Sequence, residues 1–181
     1  KGIDLPAFWA MSDQNRLPNP SITAKHLPSE SGIILRHYSI PNREQIASTL
    51  YCLCKKMNQI LLIAGDLDLT LSVGADGIHL PEYMLTNFKR PGEIKFVTAA
   101  VHSLTALKLA ERAGADAAII SPIFSTLSHP EREPIGQEKL AAIVNMATIP
   151  VYALGGINLK TVAKISSTGV AGIAGVSAFR I

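Results

Sequence analysis

Several short segments of this chain are apolar at every position, and small or hydroxyl-bearing residues follow them directly. Residues 60–64 form one such run, and the run at 119–120 leads into a loop that continues to residue 130. Two further runs end in Gly155-Gly156 and in Gly175-Val176-Ser177. A strand without apolar and polar alternation is expected where both faces of a sheet are covered, as in a parallel sheet. The sequence therefore predicts a parallel sheet whose strands are followed by several loops that line one ligand site.

Helical patterns separate these runs along the whole chain. The apolar residues of segment 46–57 recur at three- and four-residue spacing, and another amphipathic helix begins at Ser103 and stops at Gly114. Helices are also predicted over 137–146 and 159–166. The predicted strands are residues 8–13, 32–38, 60–66, 76–80, 94–100, a sixth that begins at 119, 150–154 and 171–176. This alternation predicts one α/β domain over residues 1–181, a (βα)8 TIM barrel, with its closing C-terminal helix truncated.

Composition narrows the classes of protein that the chain can belong to. Of its residues, 48% are hydrophobic and 17% are charged, and the net charge is +3. Scattered basic residues and a small net charge argue against a nucleic-acid partner. No apolar run approaches the ~18 residues of a membrane-spanning helix, and the two cysteines, Cys52 and Cys54, do not pair. We expect a cytoplasmic protein without a membrane partner, and a homo-oligomer is compatible with the sequence.

The predicted strand ends indicate where the site lies, because a barrel of this kind carries its active site at the carboxyl ends of its strands. Phosphate binding in such barrels is typically built from the last two loops, where glycine allows backbone N–H groups to approach an anion. Gly155 and Gly156 follow the seventh strand, and Val176 and Ser177 follow the eighth. These four residues are the predicted phosphate-binding residues.

Four segments in register resemble the thiamine-phosphate synthase and TenI superfamily: residues 73–80, 122–129 with 134–136, 153–157 and 172–178. The resemblance implies a (βα)8 barrel that joins a pyrimidine pyrophosphate to a thiazole phosphate and releases pyrophosphate with the help of Mg²⁺. The ligand it implies is therefore a phosphorylated heterocycle. Gly155, Gly156, Val176 and Ser177 match the family's cradle for the thiazole phosphate.

On the side of the leaving pyrophosphate, the chain departs from the family. The family presents Gln-x-Arg-x-Lys on its second strand, and of these residues only the arginine is shared, as Arg36. The resemblance offers Asp66 as a magnesium ligand, displaced by one position, and Glu82 as a substitute for the second carboxylate. Mg²⁺ is the one cofactor that the resemblance implies.

The sixth loop of the family carries Thr-x-Thr-Lys, which this chain replaces with Thr126, Leu127, Ser128 and His129. The resemblance therefore assigns Thr126 and Ser128 to substrate binding and Arg36, His129 and His79 to catalysis. The sequence leaves two alternatives to the synthase open. One is a thiazole phosphate tautomerase that uses His79 or His129, and the other is a non-catalytic barrel that binds or senses a phosphorylated ligand.

Overall fold

The computed structural model of the chain describes residues 5–126 and 132–176. Within them, eight parallel strands close into a barrel in chain order, and each strand pairs with the next. The strands are β1 Phe8–Met11, β2 Gly32–Leu35, β3 Ile60–Ala64, β4 Gly77–Leu80, β5 Phe96–Val101, β6 Ala117–Ile120, β7 Val151–Leu154 and β8 Gly172–Gly175. The predicted (βα)8 architecture is confirmed.

Helices connect most of the strands on the outside of the barrel. They are α1 Pro20–His26, α2 Arg43–Lys56, α3 Leu67–Val73, α4 Leu104–Arg112 and α5 Gly136–Met146. A short 3₁₀ helix follows β4 at Glu82–Met84. No helix in the described part of the chain is long and apolar enough to cross a membrane. The predicted truncation of the closing helix concerns residues after 176, which lie outside the described residues.

The predicted helix over 159–166 is wrong in type and extent, because the structure has only a 3₁₀ helix at Val162–Ile165. Local side-chain bonds compete with a regular helix at its start. Asn158 Oδ1 accepts from the Lys160 N–H at 2.9 Å, and Thr161 Oγ1 accepts from the Asn158 N–H at 2.9 Å. These bonds hold the segment in a tight turn.

The first three strands end earlier than predicted. They stop at Met11, Leu35 and Ala64, so that Asp13, Arg36 and Asp66 stand on the loops at the barrel mouth. Asp66 is instead the N-cap of α3, where its side chain accepts from the Leu69 N–H at 2.9 Å. The polar residues that close these three predicted strands therefore lie in loops at the carboxyl end of the barrel.

The barrel interior is filled by alternate residues of the strands. The largest are Trp9 and Tyr152, which are almost completely buried and meet edge to face with ring centroids 6.3 Å apart. Gly32 is the register partner of Trp9, and a Cβ there would overlap the indole. A packed interior leaves the carboxyl-terminal mouth as the place for a ligand.

Two aspartates stabilise the opposite, amino-terminal end of the barrel. Asp76 Oδ2 accepts from the backbone N–H of Leu61, while its Oδ1 pairs with Lys55 at 2.7 Å. Asp116 repeats the arrangement with the backbone N–H of Val97, at 2.7 Å, and with Arg90, at 2.9 Å. Both aspartates end a Gly-Ala-Asp sequence, at residues 74–76 and 114–116. This repeated sequence has a structural role, since each aspartate binds the start of the strand beside its own.

Candidate active site

Arg36 lies at the mouth of the barrel, directly after β2. Its backbone N–H donates to Ser12 Oγ at 2.8 Å, and its Nε–H donates to the Ser12 carbonyl at 3.2 Å. Its Nη2 is 3.6 Å from Oδ2 of Asp13, which also pairs with Arg16 at 2.7 Å. Burial lowers the pKa of Arg36, but a guanidinium keeps its charge in proteins. Within the described residues Nη1 makes no hydrogen bond, so the group has donors to offer an anion.

His79 points into the barrel. It pairs in register with Ala64 of β3 and Thr98 of β5, so the three side chains share the interior face. Its Nδ1 lies 2.9 Å from Thr98 Oγ1. Burial, followed by the charge of Arg36, lowers the pKa of His79 to about 3. The imidazole is therefore neutral near neutral pH, which suits it to hydrogen bonding with a substrate more than to proton uptake.

Gly155 and Gly156 form the loop after β7, and both have positive φ, at 100° and 67°. A Cβ on Gly156 would lie 2.6 Å from the Ser125 carbonyl oxygen, so the loop after β6 packs directly against this turn. Phe124 N–H donates to the Gly155 carbonyl at 3.0 Å. Neither glycine N–H donates a hydrogen bond within residues 5–126 and 132–176, which leaves both groups available to a phosphate. Val176 directly follows β8 and is buried at 8% exposure.

Three of the predicted site residues, Ser128, His129 and Ser177, lie outside the described residues. Thr126 is the last described residue before residues 127–131 and is half-buried. It directly follows Phe124 and Ser125, which lie against the Gly155-Gly156 turn. The structure therefore brings Thr126 and the two glycines to one side of the mouth.

Asp66, the predicted magnesium ligand, has both carboxylate oxygens engaged. Oδ1 accepts the capping bond from Leu69, and Oδ2 pairs with Nη1 of Arg43 at 2.7 Å. Arg43 Nη2 also donates to the Ala64 carbonyl at 2.6 Å, and its guanidinium lies 5.6 Å from the ring centre of Tyr38. The Arg43 side chain is only 13% exposed. An internal cation therefore already neutralises the carboxylate at the end of β3.

The second predicted metal ligand, Glu82, begins the 3₁₀ helix after β4. Its Oε2 is buried and has no hydrogen-bond partner among the described residues. In that part of the chain no three His, Cys, Asp or Glu side chains converge on a metal position. One free carboxylate oxygen does not hold Mg²⁺, which takes near-octahedral oxygen coordination. As arranged, these residues do not fit a resident Mg²⁺ ion.

The Arg43–Asp66 pair leads to a test of magnesium binding. Arg43→Gln removes the cation from Asp66, and we expect it to raise the affinity for Mg²⁺ by about tenfold, since a unit charge at this distance interacts by a few kcal/mol at most near a surface. Titration calorimetry with MgCl₂ measures the change. The matched control is Lys55→Gln, which breaks the Lys55–Asp76 pair of equal length at the other end of the barrel. Equal Mg²⁺ affinity in all three proteins would remove Asp66 as a ligand.

Other residues at the mouth were not singled out by the sequence. Ser12, Arg43 and Thr98 each contact a predicted site residue. His102 follows β5, and its Nδ1 lies 2.8 Å from the Ser121 carbonyl oxygen, which ties the ends of β5 and β6 together. The sequence does not show these contacts, because the two residues of each pair are distant in the chain. A position at a predicted strand end was the only signal in the sequence for such a residue.

Comparisons with known proteins agree with the barrel fold. The family described as "Thiamine monophosphate synthase" matches residues 29–179. A "Putative thiamine-phosphate synthase 2" from Aquifex aeolicus is 36% identical over 98% of this chain and 99% of its own length. A "Thiamine-phosphate synthase" from Pyrococcus horikoshii is 36% identical over 91% of this chain and 83% of its own. Among solved structures, a thiamine phosphate pyrophosphorylase from Pyrococcus furiosus superposes with a TM-score of 0.79 at 28% identity, covering 96% of this chain and 86% of that one.

Proposed function

Since the chain belongs to the thiamine monophosphate synthase family, we propose that it makes thiamine phosphate from a pyrimidine pyrophosphate and a thiazole phosphate. The observation that carries the proposal is that Arg36 is a partly exposed cation at the barrel mouth, and that its Nη1 makes no hydrogen bond within the described residues. In this reaction the bond between the pyrimidine's methylene carbon and the pyrophosphate oxygen breaks, and its electron pair leaves with that oxygen. The ring nitrogen of the thiazole then supplies the electron pair of its new bond to the methylene carbon.

In this proposal, different groups of the protein contact each of the two substrates. Arg36 stabilises the negative charge that grows on the departing pyrophosphate, which is the largest demand of such a step. His79, held by Thr98, donates or accepts a hydrogen bond on the pyrimidine inside the barrel. The backbone N–H groups of Gly155 and Gly156 bind the thiazole phosphate on the opposite side of the mouth, with Thr126, Ser128, Val176 and Ser177 as further contacts. His129 is the second cation in this scheme when it is protonated.

The proposal also includes the expected cellular setting and bears on the two alternative functions. A reducing, cytoplasmic setting suits the free cysteines, because Cys52 is exposed and Cys54 is buried, with burial raising the pKa of the Cys54 thiol to about 12. The tautomerase and the non-catalytic alternatives are not favoured, since the relatives named above carry synthase or pyrophosphorylase names.

The experiment is an assay of the purified protein with both substrates, with and without Mg²⁺. We expect thiamine phosphate and pyrophosphate to form in equal amounts, which chromatography of the products measures. If both substrates bind, as calorimetry reports, and no product forms at any Mg²⁺ concentration, the proposed activity is wrong and the non-catalytic alternative replaces it.

A further inference from the structure

Behind Arg36 lies a buried polar pair, Ser12 and His37, that the reaction scheme does not use. Both residues are nearly inaccessible, at 3% and 2% exposure. Ser12 Oγ lies 2.8 Å from Nδ1 of His37, and His37 Nε2 lies 3.3 Å from the carbonyl oxygen of Pro18. Ser12 follows β1, His37 follows β2, and Pro18 precedes α1. The pair therefore joins three segments immediately beside the candidate site.

The direction of each hydrogen bond follows from what its partners can do. The Pro18 carbonyl can only accept, so Nε2 of His37 carries a hydrogen. Ser12 Oγ already accepts the backbone N–H of Arg36, and its own hydrogen is left to donate to Nδ1. Burial is the largest cause that lowers the pKa of His37, which agrees with a neutral ring. The chain of donors thus runs from Arg36 N–H to Ser12, from Ser12 to His37, and from His37 to Pro18.

The same serine holds Arg36 at two points. Besides the backbone bond to its hydroxyl, its carbonyl oxygen accepts the Arg36 Nε–H at 3.2 Å. Asp13, the next residue in the chain, lies 3.6 Å from Nη2. Nε is bound to Ser12, and Nη2 faces the neighbouring Asp13. These two contacts fix the plane of the guanidinium, and with it the direction of the N–H groups that remain for a ligand. A displaced Ser12 would move both the backbone and the side chain of Arg36.

We propose that Ser12 and His37 are positioning residues that fix the guanidinium of Arg36 for the pyrophosphate group. The proposal rests on the proposed function in one respect, that pyrophosphate is the anion Arg36 binds. His37 acts through the acceptor at Nδ1, which orients the Ser12 hydroxyl so that its lone pair meets the Arg36 N–H. A histidine whose only role is to pack against α1 would not need that acceptor.

Two replacements of His37 separate these roles. Asparagine carries its amide oxygen close to the place of Nδ1, so His37→Asn keeps an acceptor for Ser12. Glutamine reaches the place of Nε2, so His37→Gln keeps a donor for Pro18 and removes the acceptor. Both variants shorten or reshape the buried side chain, and we expect similar losses of stability in the two. Ser12→Ala removes the hydroxyl itself.

The probe is inorganic pyrophosphate, titrated into each folded protein by calorimetry, with urea unfolding as the measure of stability. We expect Ser12→Ala and His37→Gln to weaken pyrophosphate binding by about tenfold, as expected for the loss of one hydrogen bond that orients a charged group. His37→Asn should stay within about twofold of the natural protein. In the synthase assay the same pattern should appear in KM for the pyrimidine pyrophosphate, while KM for the thiazole phosphate stays unchanged.

Each result has a defined meaning. Equal weakening in His37→Asn and His37→Gln, in step with their stability, would show a purely structural role and overturn the proposal. A natural protein that binds no pyrophosphate would overturn it as well, because Arg36 would then have no such anion to bind. If pyrophosphate binds with the expected pattern but no thiamine phosphate forms, the proposed function fails and the positioning role stands.

Discussion

Replacing Arg36 with glutamine should lower kcat/KM for thiamine phosphate formation by about 10²–10³-fold, the usual loss when one preorganised donor to developing negative charge is removed. Glutamine keeps a donor at the position of the arginine Nε, which contacts the Ser12 carbonyl oxygen, but it has neither the charge nor the terminal Nη donors. Steady-state kinetics with the pyrimidine pyrophosphate as the varied substrate measures the effect. Arg36→Lys should give an intermediate loss, because lysine restores the charge without the planar fork of donors.

The control for this loss is another partly buried arginine in an ion pair. Arg90 contacts Asp116 at 2.9 Å at the amino-terminal end of the barrel, away from the mouth. Arg90→Gln should cost stability and leave kcat/KM within about threefold, since effects on the fold alone do not change transition-state contacts. An Arg36→Gln enzyme that performs as well as the Arg90→Gln enzyme would show that another group binds the leaving pyrophosphate.

The stability of the protein should fall as the pH drops below about 6.5, and His79 should account for much of the slope. The pKa of His79 is about 3 in the folded chain, against about 6.5 in an unfolded one. Between these values the unfolded chain binds a proton that the folded chain does not. The contribution of the buried neutral ring is therefore complete above pH 6.5 and declines by up to about 1.4 kcal/mol per pH unit below it.

Urea unfolding at several pH values between 7.5 and 4.5 measures this slope. His79→Asn should flatten it, whereas Thr98→Val should keep it and lower stability equally at every pH, because burial of the ring remains. Asp13 does not interfere in this window. The hydrogen bond from Arg16 is the main reason that the pKa of Asp13 is lowered to about 2, so its contribution is lost only below about pH 4. Equal slopes in the natural protein and His79→Asn would mean that the ring is solvated or charged when folded.

Much of the fold could be predicted from local patterns. Apolar runs without alternation marked the strands, and Ser103 and Gly114 marked the limits of the clearest helix, where Ser103 indeed caps α4. The helix predicted at 159–166 was wrong because Asn158 and Thr161 bind their own backbone neighbours, a competition that apolar spacing does not register. Strand ends were overestimated at Arg36 and Asp66 because their backbone and side-chain bonds go to other segments.

The candidate site could likewise be predicted only in part from the sequence. The sequence by itself determined that Arg36, His79, Gly155 and Gly156 stand at or near strand ends, because chain order in a barrel decides which ends share the mouth. Only the tertiary structure decided their partners. Arg43 meets Asp66 across 23 positions, and Ser12 meets His37 across 25. Such pairs depend on the register of neighbouring strands and on how a helix packs against the barrel. Local secondary-structure propensity contains no information about either.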